Sequence, residues 1–531
     1  MKLFSLNSTN KINPLFKDIK EYNKYLLSLI GIFVLLVTTF ISYNFANISY
    51  AKWSDTKSSN NILKLGIKLP NIDKSGANSP LLTSNMIPVY YDEGSKEWKK
   101  ADISNKDENY KWYDYDNKIW ANAVTVTSTN RNTYLNASAG TTIPMSDINT
   151  MWVWIPRYTY TYLYTNTPQS INIKFESGTA STGTIKCTDA VTGYDIKSET
   201  CTDTTNGGLV AGTSTYTHPA FWWDKNDNNI REEGEELTGI WVGKFEVSSD
   251  TSCTPKSDDA VGSGCNLKTI RPKIIPNVTS WRGVQVGTFF NGIYNMRESE
   301  NKYGFKTTDE THMMKNMEWG AVTYLSHSKY GINKEITINN CSNYITGIGA
   351  DEVSASESST TCTTDKNKYN GTSGVNASTT GNVYGVYDMS GGSYEYMMGN
   401  MVYSNGQQMS GESSGNGYNS AFTGILNYRG DSFTGTYAFP SKRYYDKYSY
   451  GTSDTVYSKG KLGDATDEMA PTGNRGNWYS DDASFVSYNT PWFHRGGIYP
   501  AGTRAGAFYF YAYYGGADIH YSTRAVISNL N

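Results

Sequence analysis

Residues 508–514 read FYFYAYY, seven residues of which six are aromatic. A helix would spread these rings around its circumference, whereas a strand sends alternate residues to opposite faces. In a strand, Phe508, Phe510 and Ala512 share one face and Tyr509, Tyr511 and Tyr513 the other. The phenyl rings are expected inward and the phenols outward, because a buried phenol needs a hydrogen-bond partner. Adjacent outward tyrosines form an apolar patch with polar tips, the kind of surface that marks a binding site. The plainer alternative is a tyrosine-rich strand covered by a neighbouring loop.

The same character runs along the whole chain. Its 43 tyrosines and 49 glycines stand among many Asn, Ser and Thr, a mixture of β-formers and turn residues with few helix formers. Binding surfaces use this palette as well, with Tyr supplying rigid amphipathic area. A net charge of −3 with 18% charged residues excludes the basic footprint of nucleic-acid binding.

Tyr25 to Ile41 carries no charge and follows Lys11, Lys17, Lys20 and Lys24. It reads as a single membrane anchor or the apolar core of a signal peptide, with residues 1–24 cytoplasmic. Ser49-Tyr50-Ala51 offers a small-residue cleavage site, so both readings stay open. In either case the remainder faces the exterior, as a membrane-tethered or a secreted protein.

The cysteines fit that compartment. Cys187, Cys201, Cys253, Cys265, Cys341 and Cys362 all lie in the exported part, as three sequence-neighbour pairs across polar loops. Nearest-neighbour pairing is the simplest of several open connectivities. No Cys-x-x-Cys or Cys-His cluster suggests zinc.

Residues 52–80 read as a linker, and 81–147 as a small β module with a core of Trp98, Trp112 and Trp120. Residues 148–531 form the main domain. Within it, His312–Gly331 is the best helix candidate, since Met313, Met314, Met317, Ala321, Tyr324 and Leu325 recur on one face. In WDKNDNNIREEGEE, Asp224, Asn226, Asn228, Glu232 and Glu235 have the spacing of a calcium-wrapping loop. Calcium there would be structural, and no other cofactor is expected. A solvated acidic turn is the alternative.

Five segments, taken in order, resemble formylglycine-generating-enzyme-like (sulfatase-modifying-factor) domains. They are MWVWIPRYTY, GIWVGKFEVS, NMEWGAVTYL, GNVYGVYDMSGGSYEYMMGN, and FHRGG with a terminal STRAV, together spanning about residues 148–527. The resemblance implies an α+β, C-type-lectin-like fold that is loop-rich, with short strands and few helices. The enzymes of that family use cysteines just after the RGG segment to bind copper, and RGGIYPAGTRAGAFYF has none. The nearest cysteine in sequence is Cys362. A related branch binds iron through a histidine cluster, and the five histidines here lack such spacing. The resemblance therefore implies a non-catalytic member with no catalytic residues.

The layout is closer to the variable proteins of diversity-generating retroelements, which share this fold and bind ligands through a C-terminal face. By that resemblance Tyr499, Tyr509, Tyr511, Tyr513, Tyr514, His520 and Tyr521 are the candidate contacts, with Trp492 and Arg495 as supports behind them. Where that family ends in Gly-Phe-Arg, this chain has Ser522-Thr523-Arg524. In the family's signature segment, Gly392 replaces an Asn that often helps bind calcium, while Glu395 is retained. Asp388 and Glu395 would otherwise serve loop backbone groups.

The expected protein is thus a surface-exposed ligand-binding protein whose extracellular partner is a protein or a glycan. Its alternatives are a divergent oxidase or other enzyme on the same fold, and a structural surface or pilus-like component.

Overall fold

A computed structural model describes residues 73–184, 211–227, 232–257, 261–266, 270–298, 300–356, 361–402, 440–449, 462–466, 468–470, 477–487 and 490–529. The anchor or signal segment, Cys187, Cys201 and Asn228 fall outside them. Among the described residues no helix is long and apolar enough to cross a membrane.

Of the four sheets among the described residues, the two largest organise the fold. The larger has seven antiparallel strands in the spatial order Thr311–Met313, Ala525–Ile527, Gly239–Gly243, Ile148–Pro156, Asn122–Val126, Ile87–Asp92 and Glu97–Lys100. All nine residues of Ile148–Pro156 are buried, so this strand is a near-continuous apolar run covered on both faces. The smaller sheet orders Asp446–Ser449, Tyr394–Val402, Trp492–Gly496 and Gly506–Tyr513, with Tyr521–Thr523 joining Tyr394–Val402 in parallel. Short helices, 3₁₀ turns and long loops complete a loop-rich α+β architecture.

The 87–126 segment, expected to form a module of its own, supplies one edge of the larger sheet. Trp98, Trp112 and Trp120 are buried as expected, in a core shared with the rest of the molecule. The Trp112 ring stacks on Trp241 at 6.4 Å, and Trp98 meets Tyr384 edge-on at 6.0 Å. Residues 73–80 lie against this body rather than forming a free linker. Asn78 donates to the carbonyls of Gly178 and Thr238, and its own carbonyl accepts from the Trp154 indole.

The helix runs Asn316–Ser326, shorter than the expected span, and is buried on every side. His312 and Met313 belong instead to the Thr311–Met313 strand that pairs with the C-terminal strand. Glu318 closes the helix N-terminus by accepting from the Lys315 backbone N–H at 2.8 Å. Burial alone would raise its carboxyl, but His312, Lys315 and their hydrogen bonds outweigh that and hold it at about 2.

Arg524 stands where the chain leaves the smaller sheet at Thr523 and enters the larger at Ala525. Its guanidinium donates to both Glu395 carboxylate oxygens at 3.0 and 2.5 Å, and to the carbonyls of Gly243 and Tyr387. One fully buried side chain therefore ties both sheets to the signature loop.

Candidate tyrosine-rich binding face

The C-terminal sheet has two unlike faces, set by its register. Glu395, Arg495 and Phe510 lie opposite one another across three strands, as do Tyr396, His494 and Tyr511. The first set points toward the helix, where Trp319 lies under Arg495 and its indole donates to the Ala507 carbonyl at 2.8 Å. Phe508, Phe510 and Ala512 are buried on that side, as the alternation predicts. Trp492 and Arg495 are buried too, and Arg495 donates to the carbonyls of Asp464 and Ala465.

The second face carries the tyrosines. His494 is its hub, with ring centroids 4.6 Å from Tyr394, 5.3 Å from Tyr521, 5.6 Å from Tyr509 and 5.8 Å from Tyr511. Tyr521 stacks on Tyr396 at 4.6 Å and lies 4.6 Å from Tyr513, which stacks on Tyr514 at 3.9 Å. The Tyr513 and Tyr514 hydroxyls are hydrogen-bonded at 2.5 Å. Burial holds His494 down to about 3, so its imidazole is neutral at physiological pH. Burial also pushes the Tyr509 and Tyr521 phenols well up.

Exposure grades along the strand. Tyr509 is 3% exposed and Tyr521 6%, whereas Tyr511 reaches 41%. Tyr513 and Tyr514 lie between these extremes. The expectation that the whole phenol face points into water is therefore corrected at Tyr509, and Tyr521, another of the candidate contacts, is buried as well. Tyr394 and His494 cover Tyr509, and its phenol finds a partner in the Tyr394 hydroxyl. Tyr499 and His520 form a neighbouring group, both packed on Tyr344, whose ring the Arg282 guanidinium covers at 3.7 Å. Tyr344, Tyr394, Tyr396 and His494 were not among the expected residues. The alternating SYEY of residues 393–396 was the available signal for Tyr394 and Tyr396; for His494 the signal was only its strand neighbours.

Two disulfides occur among the described residues, Cys253–Cys265 and Cys341–Cys362, both nearest-neighbour pairs. They suit an extracellular protein. Cys362 is thus engaged by Cys341.

The described residues of the acidic segment, 224–227 and 232–235, are tied together by hydrogen bonds. The Glu235 carboxylate is buried and accepts from the Trp222 indole at 3.0 Å and from the Lys225 and Glu232 backbone N–H groups at 3.1 Å. The Asn226 amide donates to Glu232 at 2.6 Å. Among the described residues no three His, Cys, Asp or Glu side chains gather to hold a metal ion, so Asp224, Glu232 and Glu235 do not converge in this way.

The signature loop buries three carboxylates around one guanidinium. Asp388 accepts from the Gly347 backbone N–H at 2.8 Å and from the Asn339 amide at 2.9 Å. Glu246 accepts from the Ser393 backbone N–H at 2.8 Å. Burial raises Glu395 to about 7 despite Arg524, and raises Glu246 and Asp388 as well.

No family model matches the chain. No curated protein matches it either.

Proposed function

We propose that this is an exported ligand-binding protein whose contact surface is the Tyr511–Tyr513–Tyr514 patch, flanked by Tyr499 and His520. One observation carries the reading: Tyr511 stands 41% exposed on a stack of buried aromatic rings. An exposed ring on a fixed platform offers contact area at small entropic cost, which is how tyrosine serves binding surfaces. The disulfides support an extracellular setting. The motif order supports a divergent, non-catalytic formylglycine-generating-enzyme-like domain of C-type-lectin-like fold, and the tyrosine strand that follows the RGG segment supports a layout like the retroelement variable proteins.

The test is a panel of glycans and surface proteins probed with the exported region and its Tyr511→Ala variant. Tyr511→Ala should leave the melting temperature near wild type and weaken a captured ligand at least tenfold. A ligand held equally well by the variant would reject this face. Self-association abolished by Tyr511→Ala would make the protein a structural component instead. Sequencing the codons for residues 495–526 across isolates tests the retroelement layout. Identical codons in every isolate would remove it.

A further inference from the structure

His520, at the flank of the tyrosine face, has a different support from the tyrosines themselves. Tyr511 and Tyr513 are fixed by the pairing of Gly506–Tyr513 with Trp492–Gly496. The 515–520 loop that follows is anchored in that sheet at its ends, at Tyr513 and through the His520 carbonyl, which accepts from the Tyr394 N–H at 3.0 Å. Its middle is held from the other side, by the 280–286 segment. The Gly283 N–H donates to the Asp518 carbonyl at 3.0 Å and the Val286 N–H to the Gly515 carbonyl at 3.2 Å. The Arg282 guanidinium donates to the Ile519 carbonyl and covers the Tyr344 ring on which His520 packs. Asp518 then orients His520, accepting from its backbone N–H at 2.9 Å and meeting its Nδ1 at 2.5 Å.

The 280–286 segment rests in turn on both disulfides. Beside the Cys253–Cys265 bridge, the Gly262 N–H donates to the Gly283 carbonyl at 2.8 Å, and the Cys265 carbonyl accepts from the Trp281 indole at 2.9 Å. Gly283 holds φ of 78°, and a Cβ there would lie 2.8 Å from the Pro255 Cα, so the two segments touch with no room for a side chain. Beside the Cys341–Cys362 bridge, the Cys341 carbonyl accepts from the Tyr344 N–H at 2.9 Å, and the Tyr344 carbonyl from the Ser280 N–H at 3.0 Å.

The two bridges differ in access. Cys341 and Cys362 are both buried, whereas Cys253 is half-buried between the exposed Ser252 and Thr254. Thiol–disulfide exchange needs a thiolate to reach one sulfur of the bond, so a reductant meets Cys253 first. Among the described residues, neither of the two larger sheets takes a strand from 253–265. Opening this bridge therefore leaves the pairing of both sheets intact.

We propose that Cys253–Cys265 is a redox control on the flank of the binding face: its reduction by a dithiol frees the 515–520 loop and the His520 side chain, and leaves the Tyr511 patch in place. The proposal rests on the reading of that face as the contact surface. One thiolate of the dithiol attacks the Cys253 sulfur, the S–S bond breaks, and Cys265 leaves as a thiolate that takes up a proton. The second thiol then displaces Cys253 from the mixed disulfide, so the dithiol is oxidised to a disulfide and both cysteines are reduced. The test is amide hydrogen exchange on the exported region during graded reduction with dithiothreitol, with alkylation and mass spectrometry recording which cysteines have opened. Cys253 and Cys265 are expected to be alkylated before Cys341 and Cys362. At that stage the Gly283 and His520 amides should exchange about tenfold faster, with the Gly506–Tyr513 amides unchanged. Cys253→Ser together with Cys265→Ser should reproduce this pattern without reductant. If that variant does not fold, graded reduction of the wild type carries the test alone. Earlier opening of Cys341–Cys362, unchanged Gly283 and His520 exchange once Cys253–Cys265 is open, or equal acceleration in Gly506–Tyr513 would each overturn the proposal. Exchange is read without a ligand, so its failure is distinct from a failed ligand screen.

Discussion

Gly392 occupies a left-handed position at φ +70°, where an added Cβ would lie 2.5 Å from the Glu246 carboxylate. The resemblance placed an Asn here; this packing has no space for one. Gly392→Ala should destabilise the protein by about 2–4 kcal/mol, from the left-handed backbone and the overpacked contact together. Urea denaturation measures it. Arg524→Met is expected to cost about 3–5 kcal/mol by stranding Glu395 in the interior. Adding Glu395→Gln to that variant should recover part of the loss, because the uncompensated charge is then gone. Single residues of this kind were only half legible in the sequence. Tyr511 could be read as exposed from alternation alone. Tyr509, two positions earlier on the same face, could not, because its cover comes from Tyr394 and His494 on other strands.

For elements, local pattern was informative wherever it did not depend on a distant partner. Gly506–Tyr513 was readable from its period of two. The helix was readable in its centre but not at its start. His312 and Met313 opened the expected helical span, yet they pair with Val526 and Ala525, more than 200 residues along the chain. Gly320 lies mid-helix, where alanine is intrinsically favoured by about 1 kcal/mol. Here its Cβ would collide with the backbone at Gly463 and Asp464. Gly320→Ala should therefore destabilise, by about 1–3 kcal/mol. A higher melting temperature for that variant would show that the 462–466 segment yields. The 87–126 strands looked like a separate module for a similar reason, since nothing in a local pattern announces an edge-on partner.

For the whole molecule, opposing titrations shape stability. Burial lowers His218 and His494 to about 3 and His327 to about 4, against an ordinary 6.5. Their contribution is full above pH 6.5 and drains as the pH falls toward those values. Glu395, raised from 4.5 to about 7, runs the other way, full below 4.5 and lost as the pH rises through 7. The stability of wild type relative to Glu395→Gln should therefore decline between pH 5 and 8. Relative to His494→Phe it should decline as the pH drops from 6.5 to 4. Denaturant midpoints across this range measure both slopes. Replacing Cys341 and Cys362 together by Ser should lower stability by about 3 kcal/mol, as expected for releasing a loop of that size.

The Ala525–Ile527 strand has a consequence for how the molecule is made. It sits between Thr311–Met313 and Gly239–Gly243, inside the larger sheet, although it follows the other six strands of that sheet in chain order. A ribosome or export channel delivering the protein from its N-terminus releases both flanking strands long before their shared neighbour arrives. Until then each presents an open hydrogen-bonding edge, the kind of surface that pairs with the wrong chain. The emergence of this strand, rather than any earlier step, becomes the moment at which Arg524 drops into place and the two sheets close together.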